Sequence, residues 1–171
     1  MNPKEKLLWS IALPGFGPLL NGNYLKGIIL IALEFVINVQ SHFNDLILHS
    51  FNGEIVRAID HTEYKWLMFY PCVYFFAMWD AYKDAGGGKE PYSYLPFVFS
   101  AYFVTVGLMY SARVKLFGVL LGTVWFPMLC VIPGVLMGML LKGIFKRAKL
   151  KIEQFEVPQR KLFSRFIYPY I

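Results

Sequence analysis

Charge is what this chain has least of. Only 16% of its 171 residues are Asp, Glu, Lys or Arg, against about 25% in soluble domains. That shortage excludes an ordinary solvated surface, and a mean hydropathy of +0.47 points the same way. Cysteine is nearly absent. Cys72 and Cys130 have no Cys-x-x-Cys spacing and both fall in apolar runs, so each is expected to be a small packing residue. The chain also lacks a Walker A loop, a Gly-x-Ser-x-Gly elbow and a catalytic Cys/His arrangement. Gly86-Gly87-Gly88, before Lys89-Glu90-Pro91, reads as a flexible connection rather than a phosphate cradle. These absences point away from an enzyme and from a resident cofactor or metal.

Hydrophobic residues make up 57% of the chain and aromatics 18%, the second suiting membrane interfaces, where Tyr and Trp concentrate. The expected fold is an all-α membrane protein with about four transmembrane helices, over residues 24–43, 64–82, 92–112 and 116–141. A helix rising ~1.5 Å per residue needs roughly 20 residues to cross ~30 Å of hydrocarbon. The last span is the longest, with Pro127 and Pro133 as its candidate kinks. Residues 7–20 are too few to cross and are interrupted by Pro14-Gly15, so residues 7–22 are expected to form a half-helix or re-entrant hairpin, with a fifth crossing as the alternative. Residues 1–142 would then be one membrane domain and 143–171 a basic tail. No clean apolar run with a cleavage site marks a removable leader.

The tail supplies the topology. From Lys142 onward it holds eight basic and two acidic residues, the whole net charge of +6, and the rest balances at nine against nine. The positive-inside rule makes this tail cytoplasmic, and four spans then return the N-terminus to the same side. Arg113 and Lys115, in the short outer turn, fit that arrangement poorly. Lys146, Arg147, Lys149 and Lys151 directly follow a span, where each basic residue attracts anionic lipid by about 1 kcal/mol. Phe155, Val157, Leu162, Phe163, Phe166, Ile167 and Tyr168 could lay the tail on the bilayer. The expected partners are therefore lipid and, beside it, other integral membrane proteins or a second copy of the chain; nucleic acid is not among them.

The break itself is Pro14-Gly15-Phe16-Gly17-Pro18-Leu19-Leu20-Asn21-Gly22, followed by Asn23, Tyr24, Lys26 and Gly27. Glycine and proline at these positions cannot continue a helix. The pattern resembles the "PGxGQxYNGxxxKG" signature of small bacterial membrane proteins related to the TM-two domain family. The same signature also occurs near the N-termini of some sugar ABC-transporter permeases. Trp79-Asp80-Ala81-Tyr82-Lys83 resembles the "W-x-D-A-Y-[KR]" element that closes a later helix in such proteins. The resemblance covers residues 7–45 and 75–85, with Pro18 where the pattern has Gln and Leu20 where it has Tyr. It implies a bacterial multi-pass architecture in the plasma membrane and assigns no activity.

Four groups of polar residues are candidate sites. Asn21-Gly22-Asn23 could cap a helix whose positive end, with Lys26, would hold an anionic headgroup or a partner's carboxylate. The plainer reading is a tight connection with Lys26 snorkelling. Glu34 and Asn38, spaced i, i+4, share a face near mid-membrane, where a carboxylate signals function, a partner or a hydrogen bond to Asn38, a tyrosine or another chain. Asp80 could pair with Lys83 or with the broken segment, locking the two signature elements together. His42, Asp45 and His49 would share a stripe if one helix carried them, the weakest of the four as a metal site. The loop around them is expected to be amphipathic, turning at Asn52-Gly53, and Gly134-x-x-x-Gly138 permits close helix approach. The expected function is a non-enzymatic accessory, assembly or scaffold subunit. The alternative is a small transporter, channel or lipid-handling protein using Glu34 and the break as a polar path.

Overall fold

A computed structural model describes the backbone of residues 2–167 and the side chains of residues 2–152. The described chain is mainly helical. α1 (Pro3–Ala12) and α2 (Phe16–Leu20) flank the Pro-Gly break, and α3 (Tyr24–Ser41) follows it. α4 (Phe43–Phe51) and α5 (Ile55–Asp60) form a cap that turns at Asn52-Gly53. α6 (Tyr64–Leu67), α7 (Tyr70–Asp84) and α8 (Leu95–Tyr110) come next. A short antiparallel hairpin, β1 (Lys115–Leu116) and β2 (Val119–Leu120), leads into α9 (Gly122–Ile167). Two helices, α3 and the Gly122–Ile152 part of α9, are long and apolar enough to cross a membrane. α8 is apolar but shorter.

Several boundaries differ from the sequence expectation for physical reasons. The run from Tyr64 to Tyr82 is two helices with a turn at Met68 and Phe69. Pro71 has no N–H to donate backward and its ring crowds the carbonyl four residues earlier; the turn at Met68 and Phe69 puts it in the first turn of α7, where neither is costly. α9 starts at Gly122 rather than at residue 116, because Phe117 (φ 50) and Gly118 (φ 84) turn the chain back as a two-residue hairpin. Pro127 and Pro133 lie inside α9 without ending it. The helix also passes Leu141 and Lys142 without interruption, so the boundary expected at residue 142 is not a break in secondary structure. The lipid-contact side chains expected at Phe155, Val157, Leu162, Phe163, Phe166, Ile167 and Tyr168 lie outside the described residues.

α8 and α9 form the most extensive helix pair, and small residues set their spacing. A methyl group placed on Gly134 would lie 2.7 Å from Ser100 Cα and 2.9 Å from the Phe99 carbonyl oxygen. One on Gly138 would meet the backbone of Pro96, and one on Gly107 would lie 2.7 Å from Cys130 Sγ. Gly134-x-x-x-Gly138 is thus spent on an approach within the chain. Cys130 is the packing residue expected of it, whereas Cys72 is exposed on α7. A small apolar core of Leu46, Leu67, Leu108 and Val124 sits where the α4–α5 cap meets α6, α8 and α9. Elsewhere large apolar side chains face outward, including Leu25, Ile28, Phe35 and Val39 on α3 and Ile132, Leu136 and Leu140 on α9.

Candidate functional site

The Pro-Gly break folds back against the C-terminal end of α7. Gly15 takes φ +101, a conformation that L side chains rarely adopt, and a Cβ there would lie 2.7 Å from the Gly27 carbonyl oxygen. Reversing at Gly15 lays α2 on the start of α3. A Cβ on Gly17 would strike both Ser10 Oγ and Ala81 Cβ, so α1, α2 and α7 meet there at the distance only glycine allows. Pro14 and Pro18 are fully buried in the same knot. Pro18, a departure from the resembled signature, is therefore a packing residue.

Polar groups tie this knot to α7. Lys6 Nζ donates to Asn21 Oδ1 at 2.6 Å, and Asn21 Nδ2 donates to the Ala81 carbonyl at 2.9 Å. Asn23 Nδ2 donates to Asp84 Oδ2 at 2.8 Å. Lys26 Nζ lies 2.9 Å from Asp80 and 2.9 Å from Asp84. About two turns earlier on α7, the Tyr74 hydroxyl donates to the Ile11 carbonyl at 2.7 Å. That carbonyl lies in the last turn of α1, so it has no partner further along its own helix. All four residues of the Trp79–Tyr82 element are engaged with other elements. Trp79 packs on Tyr94 and Phe97, Asp80 takes Lys26, Ala81 takes Asn21 and Gly17, and Tyr82 packs on Phe97.

This geometry corrects three expectations. Asp80 pairs with Lys26, not with Lys83 or with backbone N–H groups. Neither Asn21 nor Asn23 caps α3 with its side chain, since both reach α7 instead. Lys26 is not an open anion site either: two carboxylates share one ammonium, so the cluster carries one net negative charge. Sequence reasoning missed Lys6, Asn23, Asp84 and Tyr74 as members. The signal for Asp84 was its i, i+4 spacing from Asp80, which puts both carboxylates on one face of α7.

Glu34 stands apart from the knot, in the middle of α3. Its Oε1 accepts from the Tyr70 hydroxyl at 3.4 Å, the tyrosine bond expected as one of its alternatives. Among the described residues, Oε2 is buried with no hydrogen-bond partner. Asn38 does not bond Glu34; its amide lies 3.5 Å from Asn44 Oδ1. His42 ends α3 in the left-handed conformation (φ 56), so it does not share a helix with Asp45 and His49. His49 Nδ1 instead lies 2.7 Å from Glu54 Oε2, and its ring stands 5.4 Å from that of His61. Among the described residues no three His, Cys, Asp or Glu side chains are grouped to hold a metal.

The basic stretch after Leu141 is partly engaged. Lys142 Nζ lies 2.8 Å from Glu90 Oε2 and Lys146 Nζ lies 3.5 Å from Glu90 Oε1. These lysines hold the Glu90 carboxyl below its ordinary range, mainly through the Lys142 hydrogen bond. Arg147 and Lys151 are exposed on α9, and Lys149 lines a shallow groove with Tyr92 and Phe145. No family model, curated protein or solved structure matches the chain.

Proposed function

We propose that this chain is a non-enzymatic, multi-pass integral membrane protein that serves as an accessory, assembly or scaffold subunit of a larger membrane system. One observation carries the reading: the polar atoms of the Pro-Gly break are consumed by bonds to α7, while the apolar side chains of α3 and α9 point outward. A knot whose Lys6, Asn21, Asn23, Lys26, Asp80 and Asp84 side chains are already paired, leaving Ser10 Oγ buried without a partner among the described residues, holds shape rather than performing chemistry. An outward apolar belt is what lipid, or another membrane helix, covers.

In this reading α3, α6 with α7, α8 and α9 cross the bilayer of a bacterial plasma membrane. α1, at 10 residues, and α2, at 5, enter from the cytoplasmic side and return. Both termini are cytoplasmic, which places the knot and the Glu90–Lys142 contact at that face and the α4–α5 cap outside. The resemblance to TM-two-related proteins, resting on its motif residues alone, fits the same arrangement. Lys146, Arg147, Lys149 and Lys151 then face anionic headgroups.

A second reading, as a small transporter or lipid-handling protein, is favoured by the unpartnered Glu34 Oε2 within α3. The two separate by experiment. Tagged protein is purified from its native membrane in nanodiscs and its partners and lipids are identified by mass spectrometry. A stoichiometric membrane partner lost in Glu34→Leu, with folding intact, is the expected result. A lipid-free monomer without a partner overturns the scaffold reading, and ion- or pH-dependent flux abolished by Glu34→Gln replaces it with transport.

A further inference from the structure

The β1–β2 hairpin is the most exposed apolar feature of the described chain. Phe117 at its tip is 97% exposed, and Leu116 and Val119 beside it are 40% and 60% exposed. The turn is unusual in composition. Pairing of Leu116 with Val119 leaves Phe117 and Gly118 as the two central residues, both with positive φ. Such turns favour Asn-Gly or Gly-Gly, and a bulky residue in the left-handed region is disfavoured. A strained backbone that delivers a bare phenyl ring to the end of a hairpin wants something for that ring to enter.

Position decides what it enters. The apolar part of α9 runs from Gly122 to Leu141 before Lys142 begins the basic stretch. Twenty residues at ~1.5 Å match ~30 Å of hydrocarbon, so the bilayer boundary falls at Gly122, directly beneath the hairpin. Two residue pairs extend about 7 Å, which is comparable to the headgroup layer on one side. Arg113 and Lys115 sit at the hairpin's base, both exposed and, among the described residues, without an acidic partner. This is also the charge that fits a simple positive-inside count poorly. Phosphate oxygens of the outer leaflet lie at that depth and carry the complementary charge.

We infer that the hairpin is an interfacial lipid-binding element, in which Phe117, Leu116 and Val119 insert among the headgroups of the outer leaflet while Arg113 and Lys115 bind lipid phosphate. The inference rests on the membrane reading above, and the experiment separates the two. In a Cys72→Ala, Cys130→Ala background, an environment-sensitive fluorophore is attached through Val119→Cys, or through Ile132→Cys near the middle of the apolar part of α9. Protein in nanodiscs of mixed zwitterionic and anionic phospholipid is then challenged with lipids carrying a shallow quencher, lipids carrying a deep quencher, or aqueous iodide. The Val119 probe is expected to emit blue-shifted light and respond to the shallow quencher, losing that response in Phe117→Ser. The Arg113→Gln, Lys115→Gln pair is expected to reduce it in anionic discs. Quenching at Ile132 by the deep probe, with iodide-accessible emission at Val119, overturns the hairpin proposal alone. Blue-shifted emission at Val119 that no lipid quencher touches also overturns it, because protein then covers the tip. Iodide access at both positions overturns the membrane reading.

Discussion

Adding one methyl group to each of three glycines of α9 tests the α8–α9 interface with an internal control. Gly143→Ala places its Cβ in open space, so it reports only the gain in helix propensity, about 0.8–1.0 kcal/mol. Gly134→Ala gains the same amount, but its Cβ falls 2.7 Å from Ser100 Cα and 2.9 Å from the Phe99 carbonyl. Both obstacles are backbone, so no rotamer change relieves them, and α9 must shift from α8 by several tenths of an ångström. Gly138→Ala meets the Pro96 backbone more closely still. Overpacking of this kind costs about 1–3 kcal/mol per site. The net expectation is a loss of roughly 0–2 kcal/mol for each interface variant and roughly 0–4 kcal/mol for the pair, centred on about 2 kcal/mol. A chain of this size shifts its melting temperature by about 2–4 °C per kcal/mol. Thermal unfolding in nanodiscs, followed by circular dichroism, should therefore place the double variant several degrees below wild type and Gly143→Ala at or slightly above it. Should Gly134→Ala and Gly138→Ala together stabilise as Gly143→Ala does, the helices do not touch there. Gly134-x-x-x-Gly138 would then be free for contact between chains.

Two further perturbations address the polar contacts. In the knot, Lys26→Met leaves Asp80 and Asp84 facing each other without a cation, and a double-mutant cycle with Asp80→Asn should give a coupling of about 1 kcal/mol. The figure is kept small because Lys26 is 42% exposed and water screens the pair; additive effects of the two substitutions would remove the lock from the account. At Glu90 the folded-state carboxyl titrates below 4.5, its ordinary value. Its contribution is thus complete above that value and lost as pH falls through the depressed one. Spin labels at Lys89→Cys and Leu150→Cys, in the cysteine-free background, should keep one short distance from neutral pH down to about 4.5 and broaden only below it. Glu90→Gln should broaden it at every pH, and a distribution unchanged by Glu90→Gln contradicts the tether.

Much of the helical plan was legible because hydrophobic length is written directly in the chain. The apolar stretch of residues 24–43 became α3 nearly to its ends, and Asn52-Gly53 marked the turn of the cap. Local chemistry that hydropathy averages away was not legible from length alone. Pro71 divides the second stretch, and Phe117-Gly118 folds six residues that a hydropathy window counts as the start of a span. Both signals were present as residue types, but they act through one backbone N–H and two dihedral angles rather than through mean hydropathy.

What the sequence determined by itself was the class and the punctuation: too little charge for a water-facing surface, apolar runs of spanning length, and a Pro-Gly break ahead of the first. The tertiary structure decided what that punctuation is for. Gly17 lacks a side chain because Ala81, more than sixty residues away, occupies the place, and Lys26 finds Asp80 and Asp84 rather than a lipid anion. Among the described residues, Glu34 is left with a single tyrosine partner. Such pairings depend on which helix faces come together in space. Close packing and ion pairing act over a few ångströms, a distance that separation along the chain does not encode.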